Sequence, residues 1–383
     1  VSRGLGDVYK RQDMKEQLVQ VIDKKDLQVL ILTDGYNIHH LSGYRGHTGM
    51  LVAFQGEQYI LTDSRYTEQV ELEAPEFTCV DIGREGYSKT IAAMVQKAFA
   101  KEGRSTLRIG FENKEISYMQ YQAFVDTFAK ELTGMQVEFV PLEDAVNVYR
   151  EVKTEDEIAK LARAEQIGDE AFTEIVKFIH ENWKDGLTEQ RVALQLEYEM
   201  RLRGAEGTSF DTIAASGSNS SLPHAMPQPK LLTEGDFLTM DFGCMYQGYC
   251  SDMTRTIHIG EVVESEQKKV YDTVLQAQLA ALSVVKPGMV CSDVDKCARD
   301  IIADAGYGDY FGHGLGHSVG LFIHEEPRFS MKCDAVLKPG VVITVEPGIY
   351  LPGRFGVRIE DMIVVTEDGY QNLASSPKEL ICV

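Results

Sequence analysis

Two aspartates sit inside apolar runs, where a folded chain tolerates charge poorly. From Phe237 to Ile259 the sequence reads as two apolar stretches around a polar tip at Tyr246-Gln247, the pattern of a β-hairpin. A regular hairpin with that tip sets Asp241 directly opposite Asp252. Their Cβ atoms would lie roughly 5 Å apart, and like charges so placed destabilise a sheet. A cation between them removes the conflict. The geometry also suits two ions about 3.5–4 Å apart, the spacing of two-metal hydrolases. The expectation is a fold in which strands carry inward carboxylates that need metal.

The rest of the composition narrows the field. A chain of 383 residues is too long for one ordinary core and suits two domains. The net charge of −21 argues against a nucleic-acid partner, which would need a basic face. No apolar run approaches the roughly 20 residues of a membrane span, and the start lacks the apolar segment of a secretory signal. Seven dispersed cysteines with no CxxC pair fit reduced thiols and a cytoplasmic location. Residues 1–12 read as foreign to the fold. The run Asp7-Val8-Tyr9-Lys10-Arg11-Gln12 is what a common sequencing-library transposon end would encode, joined to a natural start at Met14; a disordered native tail is the alternative.

Residues 13–141 alternate helix and strand. Lys15–Lys25, Ile91–Lys101 and Tyr118–Lys130 have helical spacing. Val29–Thr33, Leu51–Phe54, Tyr59–Thr62, Leu107–Phe111 and Val137–Val140 read as strands, with a hairpin at Gly56. Residues 142–155 are expected to bridge to a second domain at 156–383. Thr154 with Glu157 forms a capping box and opens a long helix to about His180. Further helices are expected at Thr188–Arg203, Glu264–Val285 and Ser292–Ala305. Strands are expected at Val341–Glu346 and Val357–Thr366. The fold class is α+β.

Three more candidate ligands join the aspartates. His317 lies in the run His313-Gly-Leu-Gly-His317, with His324 seven residues further on. One histidine alone is most often a hydrogen-bonded core residue; three in twelve positions, with glycines between and carboxylates elsewhere, favour a site. Glu346 ends an apolar run before Pro347-Gly348. Glu360 follows Arg358 on the same strand face, and a buried Arg–Glu ion pair is the plainer reading of those two. One histidine and four carboxylates make a hard, oxygen-rich set. That mixture suits Mn²⁺, with Co²⁺ or Zn²⁺ as alternatives, and two such ions can activate water and polarise a carbonyl. Cys244 and Cys250 read as packing residues.

In these motifs the chain resembles the pita-bread metallopeptidases of the aminopeptidase P and prolidase branch. The segments that carry the likeness are Asp241-Phe-Gly-Cys-Met-Tyr-Gln-Gly-Tyr-Cys-Ser-Asp252-Met-Thr-Arg-Thr, His313-Gly-Leu-Gly-His317, Thr344-Val-Glu346-Pro-Gly and Val357-Arg358-Ile-Glu360-Asp. The stretch Thr62-Asp63-Ser64-Arg65-Tyr66 resembles part of the family's smaller domain. The resemblance spans about residues 14–380 and implies a small creatinase/prolidase-type α/β domain before a pita-bread catalytic domain. It implies that Asp252 and Glu360 bridge two metals, that Asp241 completes one site, and that His317 and Glu346 complete the other. It further implies substrate-side roles for His224, in Ser216-Gly-Ser-Asn219-Ser-Ser-Leu-Pro-His224, and for His324. Glu346 would be the general base, and His313 and Arg358 would line the proline pocket or support the ligands. Read without the family, the His224 segment is a plain connecting loop.

The implied reaction is hydrolysis of the imide bond before proline, a bond ordinary peptidases handle poorly because proline fixes φ and has no N–H. The expected substrates are peptides with proline second, and a homodimer is expected. An Xaa-Pro aminopeptidase is the leading expectation, an Xaa-Pro dipeptidase the alternative, and methionine aminopeptidase ranks third. Retention of all five ligand positions argues against creatinase, which works without metals, and against a non-catalytic peptide-binding module on the same fold. Arg354 is the one candidate clamp for a dipeptide carboxylate, although an exposed loop arginine is more often only solvated.

Overall fold

The structure, a computed structural model, describes residues 16–261 and 263–383. Residues 1–12, expected to be a tail, lie outside the described residues. The chain divides into two compact units, with the boundary between Arg150 and Glu151.

The first unit is one six-stranded sheet with helices. After helix α1 (residues 16–25) come β1 (Val29–Leu32), α2 (Gly35–Ser42), β2 (Met50–Phe54), β3 (Glu57–Thr62), α3 (Thr67–Glu73), β4 (Thr78–Asp81), α4 (Gly86–Phe99), β5 (Thr106–Phe111), α5 (Tyr118–Glu131) and β6 (Gln136–Pro141). The strand order is β4-β3-β2-β1-β5-β6. Strand β1 shows why its run is apolar throughout. Val29 and Ile31 pack with Val95 and Phe128 on one face, and Leu30 and Leu32 pack with Leu18 and Ile38 on the other. A strand buried on both faces loses the polar alternation of a half-exposed one. The β2–β3 hairpin closes through Gln55 and Gly56, both at positive φ, as a two-residue primed turn requires. Helices α2 and α3 and the edge strand β4 were not expected; all are short, and β4 is only partly buried. Of the stretch expected as a bridge, Leu142 and Val146 are buried with the first unit's core, and Thr154 already caps the next helix.

The second unit opens with α6 (Glu155–Asn182) and α7 (Glu189–Leu202). The capping box at Thr154 is present: Glu157 N–H donates to Thr154 Oγ1 and Thr154 N–H to Glu157 Oε2. Strands β7 (Gly207–Thr208), β8 (Ile213–Ser216), β9 (Phe237–Phe242), β10 (Cys244–Tyr246), β11 (Tyr249–Cys250) and β12 (Met253–His258) follow, then α8 (Ser265–Val284) and α9 (Cys291–Asp304). The last strands are β13 (Gly316–Ser318), β14 (Glu325–Phe329), β15 (Val342–Val345), β16 (Gly348–Leu351), β17 (Phe355–Arg358), β18 (Asp361–Val365) and β19 (Tyr370–Asn372). Helices α6 and α7 bury Ile167, Ala171, Val192 and Leu196 against Leu238, Met240 and Ile257 of β9 and β12. Helices α8 and α9 bury Val274, Ala277, Val294 and Ala298 against Ile343 and Ile363 of β15 and β18. Each helix pair therefore backs a sheet whose strands carry the candidate site.

Two expectations about these strands need correction. The hairpin tip is Gln247-Gly248, both at positive φ, one residue later than Tyr246-Gln247. Asp241 consequently pairs with Thr254, not with Asp252. Moving a tip by one residue moves the partner by two, so the face is kept and Asp252 becomes a diagonal neighbour. The ladder also breaks between β9 and β10 at Gly243, where a Cβ would lie 1.9 Å from Ser251 O. The single strand expected over Val357–Thr366 is two strands. Strand β17 pairs with β16, while β18 pairs with β15. The chain changes sheets at Ile359-Glu360, so Glu360 lies at a crossover rather than within a strand.

Candidate metal centre

Asp252, His317 and Glu360 converge: each offers a ligand atom, and these atoms lie within 4.8 Å of one another. Asp252 immediately precedes β12, and His317 is central in β13. His317 Nε2 is 3.5 Å from Asp252 Oδ2 and 3.5 Å from Glu346 Oε1. Its Nδ1 meets Ser318 O at 3.2 Å, so the carboxylates face Nε2. Gly316 permits this approach, because a Cβ there would lie 2.0 Å from Thr344 O.

Glu346 follows the end of β15. Thr344 Oγ1, two residues earlier, donates to Glu346 Oε1 at 3.3 Å and accepts from His317 N at 3.1 Å. Thr254 does the same work on the opposite side. Its Oγ1 donates to Glu360 Oε2 at 2.6 Å and accepts from Arg358 Nε at 3.0 Å, and its carbonyl accepts from Glu360 N at 3.1 Å. Arg358 does not pair with Glu360, the plainer sequence reading. Its Nη2 donates to Asp241 Oδ2 at 2.6 Å and its Nη1 to Tyr350 Oη at 2.7 Å. His313 Nε2 meets the same Tyr350 hydroxyl at 2.9 Å. His313, Tyr350, Arg358 and Asp241 thus form one continuous polar chain.

His324 sits against His317, with ring centroids 4.5 Å apart. Glu325, the next residue, is buried; its Oε2 accepts from Lys153 Nζ at 3.1 Å, and Lys153 also donates to Ser318 Oγ at 3.1 Å. His224 is exposed on the loop after β8, close enough for its charge to act on both His313 and His324. Arg354 is exposed and paired with Glu266 on α8 at 2.5 Å, the solvated arrangement rather than a clamp. Arg328 was not singled out by sequence. It lies opposite His317 in the β13–β14 register, and its charge acts on His317, His324 and Glu346. Thr254, Thr344, Tyr350 and Glu165 were also unassigned. Glu165, on α6, accepts from Asp252 N at 3.4 Å.

The electrostatics match the crowding. Burial, then the charges of Glu360 and Asp241, push Asp252 well above the usual carboxylate range. Burial, then Glu346 and Asp241, do the same to Glu360. Glu346 rises to about 8, mainly by burial, with Arg358 opposing the rise. Burial, with His324 beside it, lowers His317 to about 3, and burial with Arg358 lowers His313 to about 4. A neutral imidazole beside carboxylates is the state a cation needs.

The donor set fits divalent metal on a direct observation. Among the described residues, Asp241 Oδ1 and Glu360 Oε1 are buried with no hydrogen-bond partner. Buried polar atoms are ordinarily paired, and buried charges are paired or bind metal. A cation supplies what the protein does not. Cys244 and Cys250 are buried and face the carbonyls of Ala164 and Leu321, away from that set.

Comparison with known proteins agrees over nearly the whole chain. Residues 15–152 match the creatinase/prolidase N-terminal domain and residues 159–367 match metallopeptidase family M24. The Xaa-Pro dipeptidase of Pyrococcus furiosus is 37% identical over 96% of this chain and 99% of its own length. A solved structure named Xaa-Pro dipeptidase from Bacillus anthracis superposes with a TM-score of 0.87 at 38% identity, covering 97% of this chain and 100% of that one. An X-Pro aminopeptidase structure from Thermotoga maritima gives a TM-score of 0.83 at 34% identity, covering 95% and 100%. The two units are a creatinase-type N-terminal domain and a pita-bread domain, and the chain belongs to metallopeptidase family M24, in its prolidase and aminopeptidase P branch.

Proposed function

We propose that this metallopeptidase is an Xaa-Pro dipeptidase that works with two divalent cations held by Asp241, Asp252, His317, Glu346 and Glu360. The convergence of Asp252, His317 and Glu360 around oxygens that lack protein donors carries the metal reading. The full-length likeness to proteins named Xaa-Pro dipeptidase favours the dipeptidase over the aminopeptidase expected from sequence. The cations, when bound, supply a Lewis acid for the scissile carbonyl and an activated water; Mn²⁺ is the proposed metal.

The chain's own groups do the rest. Thr344 Oγ1 holds Glu346 Oε1, leaving Oε2 to take a proton from the attacking water and pass it to the departing proline nitrogen. His324 and His224 stand on the accessible side and would donate hydrogen bonds to the reacting peptide. The substrate's proline nitrogen has no N–H to satisfy, so Tyr350 and His313, which bond to each other, need offer it no acceptor. Arg328 is exposed and pairs with Glu326 at 3.0 Å, as Arg354 pairs with Glu266, so neither arginine decides between dipeptidase and aminopeptidase, and the choice rests on the named relatives. A panel of Xaa-Pro dipeptides against matching Xaa-Pro-Yaa tripeptides tests this. Dipeptides should be cleaved at much the higher kcat/KM. Preference for tripeptides would return the assignment to an Xaa-Pro aminopeptidase, the activity named for the Thermotoga maritima neighbour.

A further inference from the structure

Glu189 opens helix α7 and is fully buried. Its carboxylate accepts four hydrogen bonds, all from the segment that carries His224. Oε1 accepts from Ser216 N at 2.6 Å and Ser216 Oγ at 2.8 Å. Oε2 accepts from Asn219 Nδ2 at 2.7 Å and Gln228 N at 2.8 Å. Ser216 ends β8 before the loop begins, and Gln228 lies on its far arm, with His224 between. Asn219 Nδ2 also donates to Met226 O at 3.2 Å, tying the two arms together.

Capping of α7 does not explain this carboxylate, since Thr188 Oγ1 already accepts from Arg191 N. The other side of the loop is fastened to the metal side. Ser220 Oγ accepts from Gly356 N at 2.8 Å, and Pro223 O accepts from Arg358 Nη1 at 3.3 Å. Arg358 in turn holds Asp241. Glu189 thus closes the loop from behind while Arg358 fixes its front edge, and His224 lies at the point both anchors determine. A buried carboxylate with both oxygens saturated by donors of fixed geometry leaves little freedom for an alternative loop path.

We infer that Glu189 is a positioning residue that holds His224 against the reacting peptide. This rests on the reading of His224 as a substrate-side group. The test uses the full-length, metal-loaded protein and an Xaa-Pro dipeptide, with Glu189→Gln made in the natural chain and in His224→Ala. Bound metal should stay unchanged. In the natural background kcat/KM should fall about 10–100-fold, the usual cost of losing a supporting partner. In the His224→Ala background the same change should cost less than about twofold, because coupled residues are not additive. Asn219→Ala, which removes one donor only, should show the same background dependence at smaller size and serves if Glu189→Gln does not fold. Equal losses in both backgrounds, with His224→Ala itself impaired, would overturn the inference alone. Full activity of His224→Ala would overturn the assignment of His224 and this inference with it.

Discussion

Arg358 Nη2 donates to Asp241 Oδ2 at 2.6 Å, while Asp241 Oδ1 has no partner among the described residues. One oxygen is held so that the other is free to be aimed. The same guanidinium reaches Tyr350, Thr254 and Pro223 O, so its planar fork fixes the ligand in orientation as well as in charge. Lysine cannot reproduce that fork. Arg358→Lys should weaken metal binding about 10–100-fold, read by calorimetric titration of the metal-free protein with Mn²⁺. Unchanged affinity would show that Asp241 needs no such support.

Asp252→Asn and Glu360→Gln should separate stability from activity. Burial already favours the neutral, protonated form of both carboxyls in the metal-free protein, so a neutral amide replaces them at little cost and the metal-free variants should melt no lower than the natural protein. Both should lose turnover and bind less metal, because each carboxylate is assigned between two cations. Elemental analysis of the purified variants decides it; two full equivalents of metal with intact activity would refute the bridging assignment.

How far the chain could be read in advance depended on the kind of residue. Asp241 and Asp252 drew attention because charge inside apolar runs is costly, His317 because three histidines fall within twelve residues, and Glu346 and Glu360 chiefly through the resemblance to the metallopeptidases. Thr254, Thr344 and Tyr350 did not, because threonine and tyrosine are ordinary strand residues and nothing in their spacing marks them. Only the three-dimensional pairing shows Thr254 Oγ1 holding Glu360. The hairpin register failed because Tyr246-Gln247 and Gln247-Gly248 are both polar tips, and the choice rests on positive φ, which glycine favours. Val357–Thr366 read as one strand because both halves are apolar. The break at Ile359-Glu360 comes from pairing with two different sheets, which no local pattern encodes.

His324→Ala should keep both metals and lose most activity. The ring lies against His317 but is outside the convergent set, and an acid–base group typically contributes about 10²–10⁴-fold. Metal content and kcat measured on the same preparation test this. Near-normal rates would make His324 peripheral.

The metal-free protein should lose stability as pH rises above neutrality. Burial raises Asp252, Glu346 and Glu360 above their ordinary values, so the folded state binds more protons than the unfolded state between the two. Unfolding free energy then falls with increasing pH. For Glu346 the window runs from its ordinary 4.5 to about 8. Metal binding reverses this by replacing the protons. His313 and His317, held neutral by burial, act in the opposite sense below their ordinary 6.5, so the carboxylates decide above it. Melting temperatures from pH 7 to pH 8 should fall without metal, and the gain on adding Mn²⁺ should widen across that range. A gain that narrows with pH would contradict the picture.

The most direct test of the account is hydrolysis by chelator-treated protein of an Xaa-Pro dipeptide and its Xaa-Ala counterpart, before and after Mn²⁺ is returned. The account predicts no turnover of either without metal, and restored cleavage of the Xaa-Pro peptide alone. Cleavage that persists without metal, or restored cleavage that ignores proline, would contradict it.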